Sequence, residues 1–260
     1  MPDPTRPPLS RVAVLIPTYD ERDTLPTAVE GVRHYAPEAD IVVIDDASPD
    51  GTGEVADALA AADPRVHVIH RAGKEGLGAA YLEGFAWAMD RGYDALVEMD
   101  ADGSHRPQDL PALLDAAADA DVVVGSRWVR GGRVVNWPVH RKALSVGGNV
   151  YVKLLLGMPV NDATAGFRVY RTDALRTMGL ADVASHGYCF QTDLTWRAVR
   201  AGLTVLEVPI TFVEREVGTS KMSGDIVVES LRRITGWGLR HRAGQVRQHV
   251  PARPERWTDL

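Results

Sequence analysis

Val97-Glu98-Met99-Asp100-Ala101-Asp102-Gly103 reads as an apolar strand that runs straight into two carboxylates spaced i, i+2. A strand end followed by a glycine-containing turn lets both acids swing toward one point in front of a sheet. Two hard oxygen ligands at that spacing suit a Mg²⁺ or Mn²⁺ ion that keeps open positions for substrate phosphates. The competing reading is an acidic turn with Asp102-Gly103 as ordinary turn residues. Asp-x-Asp alone does not separate the two.

Working outward, strands and helices alternate. Val12–Ile16, Ile41–Ile44, Val66–Ile69, Ala95–Met99 and Val122–Val124 are short apolar runs. Between them lie helical segments. The first opens at the Asp23-Thr24-Leu25-Pro26 cap and runs to about Tyr35, the next spans Thr52–Ala62. Gly78–Asp90 places Leu82, Phe85, Ala86 and Met89 on one face, and Pro107–Ala118 follows. Continuous apolar strands separated by helices predict an α/β, Rossmann-like, mostly parallel sheet with helices on both faces. In such sheets ligands bind beyond the carboxyl ends of the strands. Thr18 to Glu21, Asp45-Asp46, Asp100 with Asp102, and Ser126-Arg127 all fall there.

The second half is less regular. Arg141–Leu156 reads as a helix, although Gly147-Gly148 weaken it by about 1 kcal/mol each. Phe167–Tyr170 reads as a strand and Tyr188–Arg200 as a helix. Val205–Val213 is a strand pair or one strand bent around Pro209, and Ser223 caps a last helix to about Arg240. The expected organisation is a flexible tail over residues 1–10, one domain over 11–241 and a flexible tail over 242–260.

Composition narrows the function. A chain of 260 residues with 45% hydrophobic content can bury a full core. A net charge of −6 argues against general nucleic-acid binding. A single cysteine, Cys189, permits no intrachain disulfide and no cysteine-based zinc site, which suits a reducing cytoplasm. His105, His140 and His186 lack metal-ligand spacing and read as surface or hydrogen-bonding residues. Met1 to Pro8 carries prolines and charges in place of an apolar stretch, so no secretory signal is expected. No run approaches the roughly 18 apolar residues of a membrane span. The chain is expected to be soluble, or at most held on a membrane surface.

Several constellations carry chemistry. Asp45-Asp46 closes a buried strand, and a carboxylate there, or Glu21 after the first strand, could accept the N–H groups of a base. Guanine offers two adjacent donors to a carboxylate and uracil one, so the sequence leans toward guanine. Arg127, Arg141, Arg215 and Lys221 are the cationic candidates for phosphate. Arg215 and Gly218-Thr219-Ser220-Lys221 form either a phosphate-closing lid or a loop with no such role. Gly73-Lys74-Glu75-Gly76-Leu77-Gly78 lacks a phosphate-loop ending and reads as a turn into a helix. From Ser230 to His249 there are five arginines and no acid, with Val227, Leu231, Ile234 and Trp237 along one face. That face either meets an anionic membrane or packs on the domain.

Taken together, Ile16-Pro17-Thr18-Tyr19-Asp20-Glu21-Arg22, the Ile44 to Thr52 stretch, Asp100-Ala101-Asp102-Gly103-Ser104-His105, Gly125-Ser126-Arg127, Asn136-Trp137-Pro138, Phe190-Gln191 and Gly218 to Lys221 resemble one family. It is the dolichyl- or polyprenyl-phosphate mannose synthases of glycosyltransferase family 2, and the likeness spans about Val12 to Arg240. The resemblance implies a GT-A fold and inverting transfer of mannose from GDP-mannose to a polyprenyl phosphate. It implies that Pro17, Tyr19, Glu21, Ile44 and Asp46 hold the guanosine, with Asp100, Ala101 and Asp102 at the diphosphate. Asp100, Asp102 and Ser104 would hold the divalent cation, Mg²⁺ or Mn²⁺. Arg127, Arg141 and Ser145 would hold the acceptor phosphate, with Arg127 also on the donor, and Gln191, Arg215 and Lys221 would close over the donor. Asp100, Asp102, Arg127 and Arg141 form the implied catalytic set. The expected place of work is the cytoplasmic face of a membrane, reached directly or through a membrane partner protein.

Two alternatives stay open at this point. One is a family 2 enzyme using UDP-glucose, or a hydroxyl acceptor with Asp193 as general base. The other is a non-catalytic module that binds a nucleotide sugar.

Overall fold

In a computed structural model of the protein, residues 6–183, 189–214 and 231–240 are described. Seven strands form the main sheet: β1 (Val12–Thr18), β2 (Asp40–Asp45), β3 (Val66–His70), β4 (Ala95–Glu98), β5 (Val122–Ser126), β7 (Arg168–Arg171) and β8 (Val205–Pro209). Their order is β3-β2-β1-β4-β7-β5-β8. A second sheet pairs β6 (Arg133–Val135) with β9 (Thr211–Val213) in parallel. The helices are α1 (Leu25–Tyr35), α2 (Thr52–Ala62), α3 (Leu77–Asp90), α4 (Leu110–Ala116), α5 (Val139–Leu156), α6 (Thr172–Met178) and α7 (Cys189–Arg200), and residues 231–240 are also helical.

Strand alternation builds two apolar layers. Val14, Ile16, Ile41, Val43 and Val97 face one side, where α1, α2 and α4 supply Leu25, Val32, Ala56, Leu110 and Leu113. Ala13, Leu15, Val42, Ile44 and Leu96 face the other, against Tyr81 and Phe85 of α3 and Phe190 and Leu194 of α7. Each such side chain, buried on both sides of the sheet, contributes roughly 1.5–3 kcal/mol. The parallel pairs β1–β2, β1–β4, β2–β3 and β5–β8 put their carboxyl ends on one edge.

The sheet departs from the expected pattern at β7, which runs antiparallel between β4 and β5 and sets Arg168 opposite Glu98. The face of α3 is also rotated from the expected one. Tyr81, Gly84, Phe85 and Ala88 are buried and Ala86 is exposed. A Cβ on Gly84 would lie 2.5 Å from Ile44 Cδ1, so the glycine decides which face meets the sheet. Val205–Val213 is two strands in two different sheets, β8 ending at Pro209 and β9 starting after Ile210. Strand β6 and helix α6 are too short for their periodicity to be read. The first turn of Pro107–Ala118 is a 3-10 helix over Pro107–Asp109.

Residues 6–10, expected to be a flexible tail, are tied to the domain. Arg6 pairs with Asp121 at 2.7 Å, Arg171 donates to the Pro7 carbonyl, and Ser10 donates to Asp94 from both its N–H and its hydroxyl. Residues 242–260 lie outside the described residues.

Candidate active site

The loops after β1 and β2 are stitched together by short polar side chains. Asp20 N–H donates to Ser48 Oγ, Glu21 N–H to Thr52 Oγ1, and Arg22 N–H to Asp50. Asp45 accepts from Thr18 Oγ1 and from both the N–H and the hydroxyl of Ser48. Glu21 accepts from Thr24 Oγ1 at 2.9 Å. Asp20 and Ala47 hold left-handed φ values of 58° and 54°, a strained conformation for residues with a Cβ. Strain of that kind concentrates where the backbone is committed to a ligand. Pro17 and Tyr19 are half-buried and Ile44 is fully buried on this same edge.

Asp46 is buried in an ion pair with Arg71, a residue that the sequence did not single out. Arg71 directly follows β3, so it stands on the same edge, and its other nitrogens reach Glu75 at 2.8 Å and Glu83 at 2.9 Å. Burial raises the Asp46 carboxyl above its ordinary range, and the Arg71 pair opposes that. Asp46 therefore reaches a base only alongside Arg71. Lys74 sits over the Tyr19 ring at 3.6 Å, which gives the 73–78 loop a role at this edge.

The carboxylate loop after β4 is clamped. Asp100 N–H donates to His105 Nδ1 at 2.9 Å. His105 is buried, stacks on Phe167 at 5.1 Å and bridges to Phe212 in β9. Gly103 turns at φ 77°, and Asp102 accepts the Ser104 N–H at 3.0 Å. The sequence marks His105 only as a surface or hydrogen-bonding histidine; its spacing of five residues from Asp100 is the one signal of this role. Asp100 keeps a third of its side chain exposed, Asp102 is half-buried and Ala101 is buried beneath them.

The donor chemistry of this loop fits a divalent cation. It offers two carboxylates and the Ser104 hydroxyl oxygen, which is buried and has no hydrogen-bond partner among the described residues. Among the described residues no group of three or more histidine, cysteine or acidic side chains forms a closed metal cage. An ion here would complete its shell with substrate oxygens and water.

Arg127, expected as a phosphate fork, is already engaged. Its Nε and NH2 donate to both oxygens of Asp162 at 2.8 and 2.7 Å, its N–H donates to the same carboxylate, and NH2 also reaches Thr164. Trp128, Trp137 and Phe212 surround the guanidinium at 5.5–5.7 Å. A bidentate pair with a fully buried carboxylate makes Arg127 a brace that holds the 161–164 loop beside the site, through Nε and NH2 and without NH1. Arg141 of α5 pairs with Glu214 and lies over Trp137 at 4.3 Å, with its side chain about one-fifth exposed. Glu214 Oε2 is buried without a partner among the described residues. Ser145 sits one turn further along α5, half-buried on the same helix.

Beneath the loop lies a buried polar layer. Gln191 donates to Glu98 at 2.9 Å, and Arg168 donates to the carbonyls of Ala163, Ala165 and Gln191 and to Thr195. Burial pushes the Glu98 carboxyl up to about 8, against the opposing pull of Arg168, and the charge of Asp100 adds to the rise. Gln191, expected to close over the donor, donates to Glu98 through Nε2 and leaves its Oε1 unpartnered among the described residues.

Asp193 does not stand where a general base must. It is 4% exposed, pairs with Arg197 at 2.9 Å, and projects from α7 two residues from Gln191 into a groove with Trp196 and Trp237. Two residues along a helix turn a side chain by roughly 200°, away from the Glu98 side. Arg215 and Lys221 lie outside the described residues.

The profile of the family described as "Glycosyl transferase family 2" matches residues 13–179. The chain is 56% identical to an undecaprenyl-phosphate mannosyltransferase of Micrococcus luteus, over 88% of this chain and 94% of that one. It is 55% identical to a polyprenol monophosphomannose synthase of Mycolicibacterium smegmatis, over 92% and 91% of the two chains. Its fold is similar to that of glucosyl-3-phosphoglycerate synthase from Mycobacterium tuberculosis, solved with Mn²⁺ and UDP-glucose. The TM-score is 0.65 at 17% identity, covering 87% of this chain and 79% of that one.

Proposed function

The chain belongs to glycosyl transferase family 2, and we propose that it moves mannose from GDP-mannose to a polyprenyl phosphate, inverting the anomeric centre and releasing GDP. The two relatives above half identity bear names for mannosyl transfer to polyprenyl phosphate. The observation within this structure that carries the reading is the pairing of two environments on one sheet edge. A clamped Asp100/Asp102 loop suits a diphosphate with its cation, and Arg141 of α5, partly buried against Glu214 and Trp137, offers a cation for a second phosphate.

The acceptor is already a nucleophile. A phosphate monoester has its second pKa near 6, so at neutral pH its oxygen attacks without a base. The bond from the anomeric carbon to the GDP oxygen breaks as the bond to the acceptor phosphate oxygen forms from the opposite face. Arg141 aligns the acceptor phosphate by exchanging Glu214 for it, and Ser145 adds a hydroxyl donor. Asp100, Asp102 and Ser104 would hold a divalent cation, which when bound would supply positive charge against the departing diphosphate. Arg127 braces the acceptor side through Asp162. Glu21, with Asp46 and Arg71, frames the base edge, and Pro17, Tyr19 and Ile44 floor it. A hydroxyl acceptor would need a carboxylate base, and the placement of Asp193 argues against that version. The lipid acceptor brings the enzyme to the cytoplasmic surface of a membrane.

The test is direct. Purified protein is incubated with polyprenyl phosphate, Mg²⁺ and either GDP-mannose or UDP-glucose, and the lipid products are weighed by mass spectrometry. The expected product is a hexosyl phospholipid from GDP-mannose. A product from UDP-glucose alone overturns the donor, and GDP-mannose binding without any product reduces the protein to a binding module.

A further inference from the structure

The Asn136-Trp137-Pro138 stretch holds in place a ring that the reaction above does not use. Asn136 takes a left-handed φ of 63°, which asparagine tolerates better than most residues. Pro138, with φ at −60°, caps α5, whose first residue is Val139. Trp137 is thus pinned between the end of β6 and the start of α5. Glu214 N–H donates to the Val135 carbonyl at 3.1 Å, which ties the same corner to the end of β9. Phe212 of β9 makes a T-shaped contact with the indole at 5.4 Å, and Trp128 makes another at 6.4 Å.

That indole carries Arg141 on its face. The guanidinium carbon lies 4.3 Å from the ring centroid, from a residue four positions further along the chain. Helical side chains lean toward the N-terminus, so a residue in the first turn of α5 reaches back over those that precede it. Arg127 is further from the same ring, at 5.5 Å, and is held by Asp162 in any case. Contact with an aromatic face fixes the plane of a guanidinium without using its N–H donors, which point out along its rim. An ion pair does the opposite, since each bond to a carboxylate occupies a donor. Of the Arg141 nitrogens, only NH1 has a hydrogen bond among the described residues, to Glu214. When a phosphate takes the place of Glu214, the ring still holds the arginine.

Trp137 Nε1 is buried and has no hydrogen-bond partner among the described residues. An unmade hydrogen bond costs stability that phenylalanine at the same place would not lose. A ring needed for packing alone gains nothing from that nitrogen, whereas indole attracts a cation more strongly than the other aromatic side chains do. We propose that Trp137 is a positioning residue for the acceptor phosphate: its face sets the plane of the Arg141 guanidinium, so that the N–H groups of Arg141 meet two phosphate oxygens together. This role deepens the reading above and rests on Arg141 receiving the acceptor phosphate.

The experiment uses the full chain and the variants Trp137→Phe, Trp137→Leu, Arg141→Ala and Trp137→Leu/Arg141→Ala, with farnesyl phosphate as a short acceptor probe. Steady-state kinetics give KM for farnesyl phosphate and for GDP-mannose, calorimetry gives Kd for farnesyl phosphate, and thermal unfolding gives Tm. The acceptor KM and Kd are expected to rise about threefold in Trp137→Phe and about tenfold in Trp137→Leu, following the attraction of each side chain for a cation. KM for GDP-mannose should stay within about twofold of wild type in both, and Trp137→Phe should keep a Tm close to that of wild type. The double variant should bind farnesyl phosphate no more weakly than Arg141→Ala, because the indole acts only through that arginine. An unchanged acceptor Kd in Trp137→Leu, donor and acceptor constants that worsen together with Tm in Trp137→Phe, or losses that add in the double variant overturn the role. If Arg141→Ala binds farnesyl phosphate as tightly as wild type, the acceptor reading fails and takes the role with it. If Arg141→Ala weakens binding and Trp137→Leu does not, only the role of Trp137 fails. Weaker binding in both single variants, with no transfer of mannose by wild type, supports the role and refutes the proposed reaction instead.

Discussion

Replacing Glu98 by glutamine should make the protein more stable at alkaline pH, by an amount set by where that carboxyl sits. Glu98 is fully buried, one oxygen accepts from Gln191, and the other has no partner among the described residues. Burial raises its folded pKa to about 8 from an ordinary 4.5. The folded state therefore keeps a proton that the unfolded chain releases between about pH 4.5 and 8. Folding stability falls through that window as pH rises and levels off above it. At about 1.4 kcal/mol per unit, the loss approaches roughly 3 kcal/mol at pH 7 and about 5 kcal/mol above pH 8. Glutamine preserves the shape, cannot ionise, and can return a donor to the unpartnered Gln191 Oε1. The assay is urea unfolding of both proteins at pH 5, 6, 7, 8 and 9, compared as a difference so that other titrating groups cancel. The two curves should separate progressively in favour of Glu98→Gln up to about pH 8. Parallel curves would falsify the account, because they mean that Glu98 has the same proton affinity in both states.

Three further perturbations test the site and its frame. Arg141→Ala should lower mannosyl transfer by about a hundredfold or more, whereas Asp193→Asn should leave turnover near wild type and cost about 1–3 kcal/mol of stability through Arg197; the reverse pattern in steady-state kinetics points to a hydroxyl acceptor. Arg71→Met should cost about 3–5 kcal/mol in urea unfolding, because it strands the buried Asp46; a loss under about 1 kcal/mol denies Arg71 its bracing role. Gly84→Ala should destabilise by about 1 kcal/mol despite better helix propensity, since the new methyl would crowd the fully buried Ile44. A gain in melting temperature at that position would show that α3 stands further from the sheet.

What could be read from the chain was whatever neighbours in sequence decide. Apolar runs of three to five residues, with β-branched side chains and helical segments between them, specify a covered parallel sheet. Parallel pairing then forces Glu21, Asp46, Asp100 and Arg127 onto one edge. The carboxylate pair was legible because both acids belong to one turn. What the chain left open depended on partners distant in sequence. Arg71 and Asp46 are 25 residues apart and Arg127 and Asp162 are 35 apart. A lone arginine carries no mark of which carboxylate it will meet, so neither the Asp162 partner of Arg127 nor the role of Arg71 can be read from the chain. The antiparallel insertion of β7 is of the same kind, since strand direction depends on the path of the chain through α5. The exposure of Val139, Val150 and Leu154 on α5 had the same cause. Periodicity shows that a helix has an apolar face, but only packing shows whether that face is turned inward or outward.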